Sequence, residues 1–395
     1  MQKITEVIRE SKIDAREHFK KVCQKKIGDM EKKILKRKVC MCPNCQKIQK
    51  YVKRGSRGRK LRTSEGEIEF KIKQIQCKEC RKIFRPIINF LGLKPRQMIT
   101  DEFLEKASSV AIHTSYQTSK EITETFTGEG ISAKTIRKKI LAEAAEIKAE
   151  QATVPPEEYV AILKDSTKGK TGKTKRGEDI NIAFGVTGRH YIVNRKTGEL
   201  TRPGIIGKIL SVSVGDDKTF SNIQHKTKNI MTDGDRSIKN KAKAMKNSEE
   251  ITFHRCHWHL PRMMGFALYN DGLKKKSQRT KFTNKLSNLI KNSFNNYEKY
   301  YQELIDECKN DELNKTVTYL KNAKQEFYNT KKNPIMLGDK PLLANSPVER
   351  VMREVDRRAD IGSRWSNIGL EAITTVRLNH LYNKKIFPNN SLALL

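Results

Sequence analysis

Two cysteine pairs constrain this chain most. Cys42-Pro-Asn-Cys45 and Cys77-Lys-Glu-Cys80 repeat one spacing, with 31 residues between the pairs. Four thiolates carried on two tight turns can surround one Zn²⁺ tetrahedrally. The segment between them, which includes RGSRGRKLRTSEGEIEFKIKQIQ, must then double back as a hairpin that keeps the turns in register. It has little apolar core of its own, so the metal supplies folding energy. Cys40 competes with Cys42 on spacing. Eight cysteines in 395 residues are too few for a disulfide scaffold, and close pairs of this kind point to a reducing compartment.

Charge narrows the partners. Lys and Arg number 80 and Asp and Glu 45, for a net charge of +35. Residues 1–100 alone carry 29 basic and 10 acidic side chains. Ordinary solubility needs a net charge of only about 2–8 on a small domain. A field this strong attracts polyanions. No apolar run approaches the roughly 18–20 residues of a membrane span. The N-terminal MQKITEVIRESKIDAREHFKK has no apolar secretory core, so a cytoplasmic protein is expected.

The pattern along the chain divides it further. Residues 1–38 read as one or two helices, with Ile4, Ile8, Phe19, Val22, Ile27, Met30 and Ile34 at helical spacings. Residues 39–95 read as a zinc ribbon with a Gly/Arg turn at RGSRGRK and a strand at EIEFKIKQIQ. Residues 96–150 return to helix, and 151–158 read as a Pro-bearing linker. From 159 come short β-rich runs: YVAILKD, INIAFGV, HYIV, KILSVSVG, KNIMTD and ITFHRC. A helical block follows to about 330, then a Pro/Gly/Asn stretch, then a helix over 347–383. Strands followed by a helical block and a last helix predict an α/β core carrying a helical insertion.

Within 96–150 lies a helix-turn-helix pattern. Thr118 and Glu121 have capping-box spacing. Gly128-Glu129-Gly130 is the turn, and Ser132 caps the second helix. Ile136 and Ile140 face inward. Lys134, Thr135, Arg137 and Lys138 face outward near the helix start, where a recognition helix meets DNA. By contrast, GKTGKTKRG at 169–177 lacks the four-residue gap of a phosphate-binding loop and reads as a basic hairpin turn.

Three carboxylates carry the chemistry. Asp165 closes the apolar run YVAILKD and Asp233 closes NIMTDG. Side by side, two such strands would bring both carboxylates to one point, where a divalent cation neutralises them. Glu349 is the best third member. Ser346 and Pro347 read as N-cap and first helical residue, which puts Glu349 in the first turn, with Arg353 and Asp356 on roughly its face. Asp235 rivals Asp233, Glu354 is a fallback for Glu349, and Asp216 and Asp217 are weaker rivals. Cys256-x-x-His259 follows a strand. It reads as a packed cluster around Trp258, or as a second zinc site using His254, Cys256, His257 or His259.

Asp165, then Asp233-Gly234, then Cys256-x-x-His259, then Glu349 within SPVER resembles the catalytic core of Mutator-type insertion-sequence transposases of bacteria and archaea. The likeness covers about residues 159–383. It implies a ribonuclease-H-like mixed-sheet core at 159–259 and 341–383, interrupted by an all-helical insertion at 260–340. It implies that Asp165, Asp233 and Glu349 are catalytic and bind two Mg²⁺ (or Mn²⁺) ions. It also implies that Cys256 and His259 form a structural motif near the active site. The partners implied are duplex DNA (terminal inverted repeats and target DNA) and a second copy of the chain on that DNA, in a prokaryotic, nucleoid-associated setting. A transposase-derived DNA-binding regulator and a nuclease of the same fold are the rival readings.

Overall fold

The computed structural model describes residues 4–153, 157–172, 177–193, 197–198, 200–220, 223, 226–234, 238, 240, 242, 251–292, 296–361 and 365–384. Its internal contacts divide the chain into two units, Met1–Ile140 and Leu141–Leu395.

The first unit opens with one long helix, α1 (Ile4–Lys36). Its Phe19, Cys23, Ile27 and Ile34 pack on a core of Leu61, Ile68, Phe70, Ile72, Ile87 and Ile88. Ile4 and Ile8 lie beyond that core and are exposed. A four-stranded antiparallel sheet follows in the order β1 (Val39–Met41), β2 (Ile48–Thr63), β3 (Gly66–Cys77), β4 (Ile83–Phe84). The Gly/Arg run is not the turn of this hairpin. It lies inside β2, where a register shift between Lys53 and Ser56 absorbs Gly55 at φ +86. Such a bulge bends a strand without ending it. The reversal comes after Thr63, which pairs with Gly66.

A short helix α2 (Pro86–Phe90) leads to three longer ones: α3 (Asp101–Ala111), α4 (Tyr116–Thr127) and α5 (Ala133–Thr153). α4 starts earlier than the Thr118–Glu121 pattern predicts. Ser115 is its cap and accepts the Thr118 N–H at 2.9 Å. Gly128 ends α4 at φ +72, a left-handed conformation that favours glycine. Phe103, Ala107, Ala111, Ile131 and Ile136 form the core of this helical group. The Arg62 guanidinium donates to the Gly130 carbonyl at 2.7 Å, and the Glu67 N–H donates to the Glu129 carboxylate at 3.0 Å. These bonds dock the turn end of the β2–β3 hairpin on the α4–α5 turn.

The second unit holds a five-stranded mixed sheet. After a small parallel pair, β5 (Glu158–Tyr159) with β9 (Lys226–Thr227), its strands are β6 (Ala161–Gly169), β7 (Glu178–Val193), β8 (Leu200–Val214), β10 (Asn229–Thr232) and β11 (Thr252–Arg255). Their order is β11-β10-β6-β7-β8. β6, β7 and β8 are antiparallel, and β10 and β11 add parallel to β6. The predicted strands INIAFGV and HYIV fuse into β7, whose pairing with β8 shifts register around Ala183 and Val186. Tyr159, Ile162, Leu210, Phe220 and Ile230 build the core on one face.

Four helices follow: α6 (His259–Asn270), α7 (Lys276–Lys291), α8 (Tyr297–Asn310) and α9 (Asn314–Lys332). They enclose their own core, in which Tyr301 stacks on Phe327 at 4.9 Å between ring centroids. The Pro/Gly/Asn stretch forms a hairpin of β12 (Ile335–Leu337) and β13 (Lys340–Leu342). The expected last helix is two: α10 (Ser346–Ala359) and α11 (Asn367–Leu378). Ser366 caps the second by accepting the Gly369 N–H, so the helix restarts there. The expected linker at 151–158 is helical as far as Thr153. Residues 154–156, residues 173–176 of the 169–177 turn and Asp235 lie outside the described residues. No helix of the described residues is long and apolar enough to cross a membrane.

Candidate functional site

The cysteine site grows from two matching turns. Cys42–Cys45 joins β1 to β2, and Cys77–Cys80 joins β3 to β4. The Cys42 N–H donates to the Lys47 carbonyl, and the Cys77 N–H donates to the Lys82 carbonyl, each at 3.0 Å. Gln46 and Arg81, each just after a pair, share φ +57. The four sulfurs lie within 4.8 Å of one another. Cys42 and Cys80 are 3.5 Å apart, and Cys45 and Cys77 are 3.7 Å apart. Tetrahedral Zn–S bonds of about 2.3 Å require sulfurs separated by about 3.8 Å, so the donor set fits zinc. Cys40 is outside the group and packs beside it, which leaves Cys42 as the ligand. The Lys82 backbone N–H draws the Cys80 thiol down to about 6.

The carboxylates come together by topology. Asp165 is not at the end of β6. It sits where the strand's buried run Ala161–Lys164 stops, and β6 continues to Gly169 against β7. Pairing with β10 runs Ile230 to Ile162 and Met231 to Leu163. Two more steps in that register bring Asp233 level with Asp165. The parallel strands β10 and β11 end together at Thr232 and Arg255, level with the middle of β6, and the carboxyl ends of such strands are the usual ligand position. Side chains alternate along a strand, so Asp165 and Thr167 face one way and Lys164 the other. Thr167 donates to Asp356 of α10 at 2.8 Å, which identifies the α10 side. Lys164 is buried on the opposite face, 3.5 Å from Asp217 and donating to Asn181 at 3.0 Å. That contact commits Asp217 away from the carboxylate face.

Burial, reinforced by the charges of Asp233 and Glu349, pushes the Asp165 carboxyl up to about 6, against the pull of the Ser166 N–H and of Lys164. The three groups therefore share one electrostatic neighbourhood. They are less tightly gathered than the cysteines, which are the only group of three or more ligating side chains within 4.8 Å among the described residues. Glu354 is excluded by its partners, Arg357 at 2.5 Å and Arg377 at 2.6 Å.

Supporting residues hold each carboxylate. Asn345 is fully buried just before α10, and its amide donates to the Lys164 carbonyl at 3.2 Å and to Asp165 Oδ2 at 3.3 Å. This shifts the helix start by one residue from expectation. Ser346 is the first helical residue, and Asn345 holds the cap position while spending its side chain on Asp165. The Asn345 Oδ1 is buried without a hydrogen-bond donor. Glu349 lies 3.3 Å from His259 Nε2. Cys256 accepts the Asn345 N–H at 3.2 Å. Cys256-x-x-His259 thus ties the start of α10 at two points, and it is not part of any second metal cluster among the described residues.

Asp233 is held through its backbone. The Arg255 guanidinium donates to the Asp233 carbonyl at 2.6 Å and pairs with Glu326 of α9 at 2.7 Å, with both partners buried. Gly234, at φ +107, makes this possible, because a Cβ there would collide with that guanidinium. The α9 residues Thr330 and Asn329 also bond the β11 backbone, at Arg255 and Phe253. The helical block therefore covers the edge of the sheet that carries Asp233.

At the helix-turn-helix, Ile136 and Ile140 are buried as predicted, and Lys134, Arg137 and Lys138 are exposed. Thr135 is half-buried and its hydroxyl meets the Ser132 hydroxyl at 2.8 Å, so it helps to start the helix. Asn345, Arg255 and Glu326 were not singled out from sequence. Lys164, a charge inside an apolar run, was a visible signal; Asn345 had none beyond its place before Ser-Pro.

No protein-family model matches this chain, and no curated protein matches it in sequence.

Proposed function

We propose that the chain is a DDE-type DNA transposase of an insertion sequence, with a ribonuclease-H-like catalytic core. What supports this reading is that Asp233 falls level with Asp165 in the β6–β10 register and that the charges of Asp233 and Glu349 reach Asp165, in a mixed sheet with the order β11-β10-β6-β7-β8. Three antiparallel strands extended by two parallel ones, with α10 packed against β6, support such a core.

Asp165, Asp233 and Glu349 would hold two Mg²⁺ ions. The donor set fits a hard cation: an Asp165 carboxyl raised by burial and by the charges of Asp233 and Glu349, beside a buried amide oxygen with no donor. When bound, the ions supply an activated water and neutralise charge at the phosphorus. The chain's own residues do the positioning. Asn345 and the Ser166 N–H fix both oxygens of Asp165, His259 holds Glu349, and Arg255 fixes the backbone at Asp233. A phosphodiester seated there is cut by in-line displacement, and the freed 3′-OH attacks target DNA in the same pocket. Lys134, Arg137 and Lys138 contact the element ends, and two copies of the chain act on paired ends.

The test is a cleavage and joining assay on DNA bearing the flanks of the chain's own gene. Metal-dependent 3′ ends at paired inverted repeats, with joined products, are expected. Tight binding without any metal-dependent cut would favour a regulator, and cuts without joining a nuclease.

A further inference from the structure

The first unit contains a groove of about 850 Å³ between β2, the end of β4 and the loop before α3. Arg57, Arg59, Lys60, Arg85 and Arg96 line it, and among the described residues no carboxylate does. Ile72, Phe84 and Ile88 give it an apolar floor.

One of these cations is held in place before any ligand arrives. Arg59 donates to the Gln97 carbonyl at 2.7 Å and the Lys94 carbonyl at 3.2 Å, while its Nε is buried without an acceptor. Burial, then the nearby Arg85, pulls the Arg59 guanidinium below its ordinary range. Arg96 has φ +61, a left-handed conformation that a side chain seldom adopts. The loop enforces it. Gln97 accepts the Lys94 N–H at 2.9 Å and donates to the Ile99 carbonyl at 3.0 Å, and the Arg62 N–H bonds the Met98 carbonyl at 2.9 Å. Strain of this kind clusters at ligand sites. Lys60 is shared with Glu67 at 3.2 Å, so the four arginines define the charge.

We propose that this groove is a phosphate-backbone clamp for duplex DNA, separate from the recognition-helix start at Lys134–Lys138. Arginine forks match phosphate oxygens, and an apolar floor suits the deoxyribose between them. A clamp of this kind positions DNA without reading its sequence. The proposal rests on the DNA-binding part of the function proposed above and not on its catalytic part.

The test uses the full chain, without divalent metal, and a 30-bp duplex of arbitrary sequence. Affinity is measured between about 50 and 200 mM salt for wild type, Arg57→Gln/Arg96→Gln and Arg57→Lys/Arg96→Lys. Each phosphate contact contributes about 0.9 to the slope of log K against log salt. The Gln variant is expected to bind at least about ten-fold more weakly at 50 mM salt, with a slope shallower by about 1.8. The Lys variant keeps the charge and should keep most of the slope. Zinc content and thermal unfolding of both variants should match wild type. A Gln variant with unchanged affinity and slope would overturn the clamp. So would a Lys variant as impaired as the Gln variant, or a loss confined to duplex RNA offered in parallel. Because cleavage is never read, failure here is distinguishable from failure of the catalytic proposal.

Discussion

The four cysteines and the three carboxylates are both candidate metal sites, yet the chain builds them in opposite ways. The sulfurs sit on two short turns whose backbone bonds fix them locally, and they close to 3.5–3.7 Å. The carboxylates come from two strands and a helix far apart in sequence, and they stay looser. Thiols that give up most of their protons only as metal binds tolerate crowding, whereas like-charged carboxylates raise one another's energy until a cation arrives. Closed sets suit structural metal and open ones leave room for substrate. The difference also explains the supporting residues. The cysteines need little beyond their own turns, while each carboxylate has a dedicated partner in Asn345, Arg255 or His259.

The largest effect expected lies on the closed side. Cys77→Ala should empty the zinc site and unfold the ribbon, since structural zinc contributes roughly 10–16 kcal/mol in small zinc-binding peptides. Metal content and limited proteolysis of residues 39–85 would show it. A ribbon that stays protected with no zinc bound would break the contrast.

Next comes the support for the open side. Arg255→Met strands Glu326 as a buried charge and frees the Asp233 backbone. Breaking a buried ion pair costs about 3–5 kcal/mol, read here as a lower urea midpoint. Partial recovery is expected in the double variant Arg255→Met/Glu326→Leu, and no recovery would argue that the pair is not what holds α9 to the sheet.

The carboxylates themselves should trade stability for metal. With its pKa raised to about 6, Asp165 keeps a proton in the folded, metal-free chain that the unfolded chain has already lost. The folded state then binds more protons between about pH 4 and 6, so stability falls as pH rises through that window. A shift of roughly two units is at most about 3 kcal/mol. Asp165→Asn should therefore be more stable than wild type at pH 7 without metal, and Mg²⁺ should stabilise wild type alone. Equal melting curves at pH 7 would contradict the repulsion.

The smallest effect is expected at Cys40. Cys40→Ser should keep a full zinc content and change stability by about 1 kcal/mol or less, because Cys40 only packs beside the site. Loss of zinc in this variant would reassign the ligand set.

What could be read from sequence follows the same division. The cysteine ligands were legible because their chemistry is written in local spacing; geometry was needed only to choose Cys42 over Cys40. The inward isoleucines of α5 and the helical block followed from periodicity. The Gly/Arg run misled because a bulge in a paired strand carries the same residues as a turn. The caps of α4 and α10 differ for a similar reason: several polar residues precede each helix, so Ser115 caps α4 through its local bond to the Thr118 N–H, while tertiary contacts draw Asn345 toward Asp165. Arg255 and Glu326 sit 71 positions apart, and nothing local announces their pairing.

A cation site formed by Asp165, Asp233 and Glu349 can be tested by Mn²⁺ binding to the zinc-loaded full chain, followed by electron paramagnetic resonance. Wild type should bind Mn²⁺ that Mg²⁺ displaces, and Asp233→Ala should lose it with zinc content unchanged. Undiminished Mn²⁺ binding in Asp233→Ala would contradict that site.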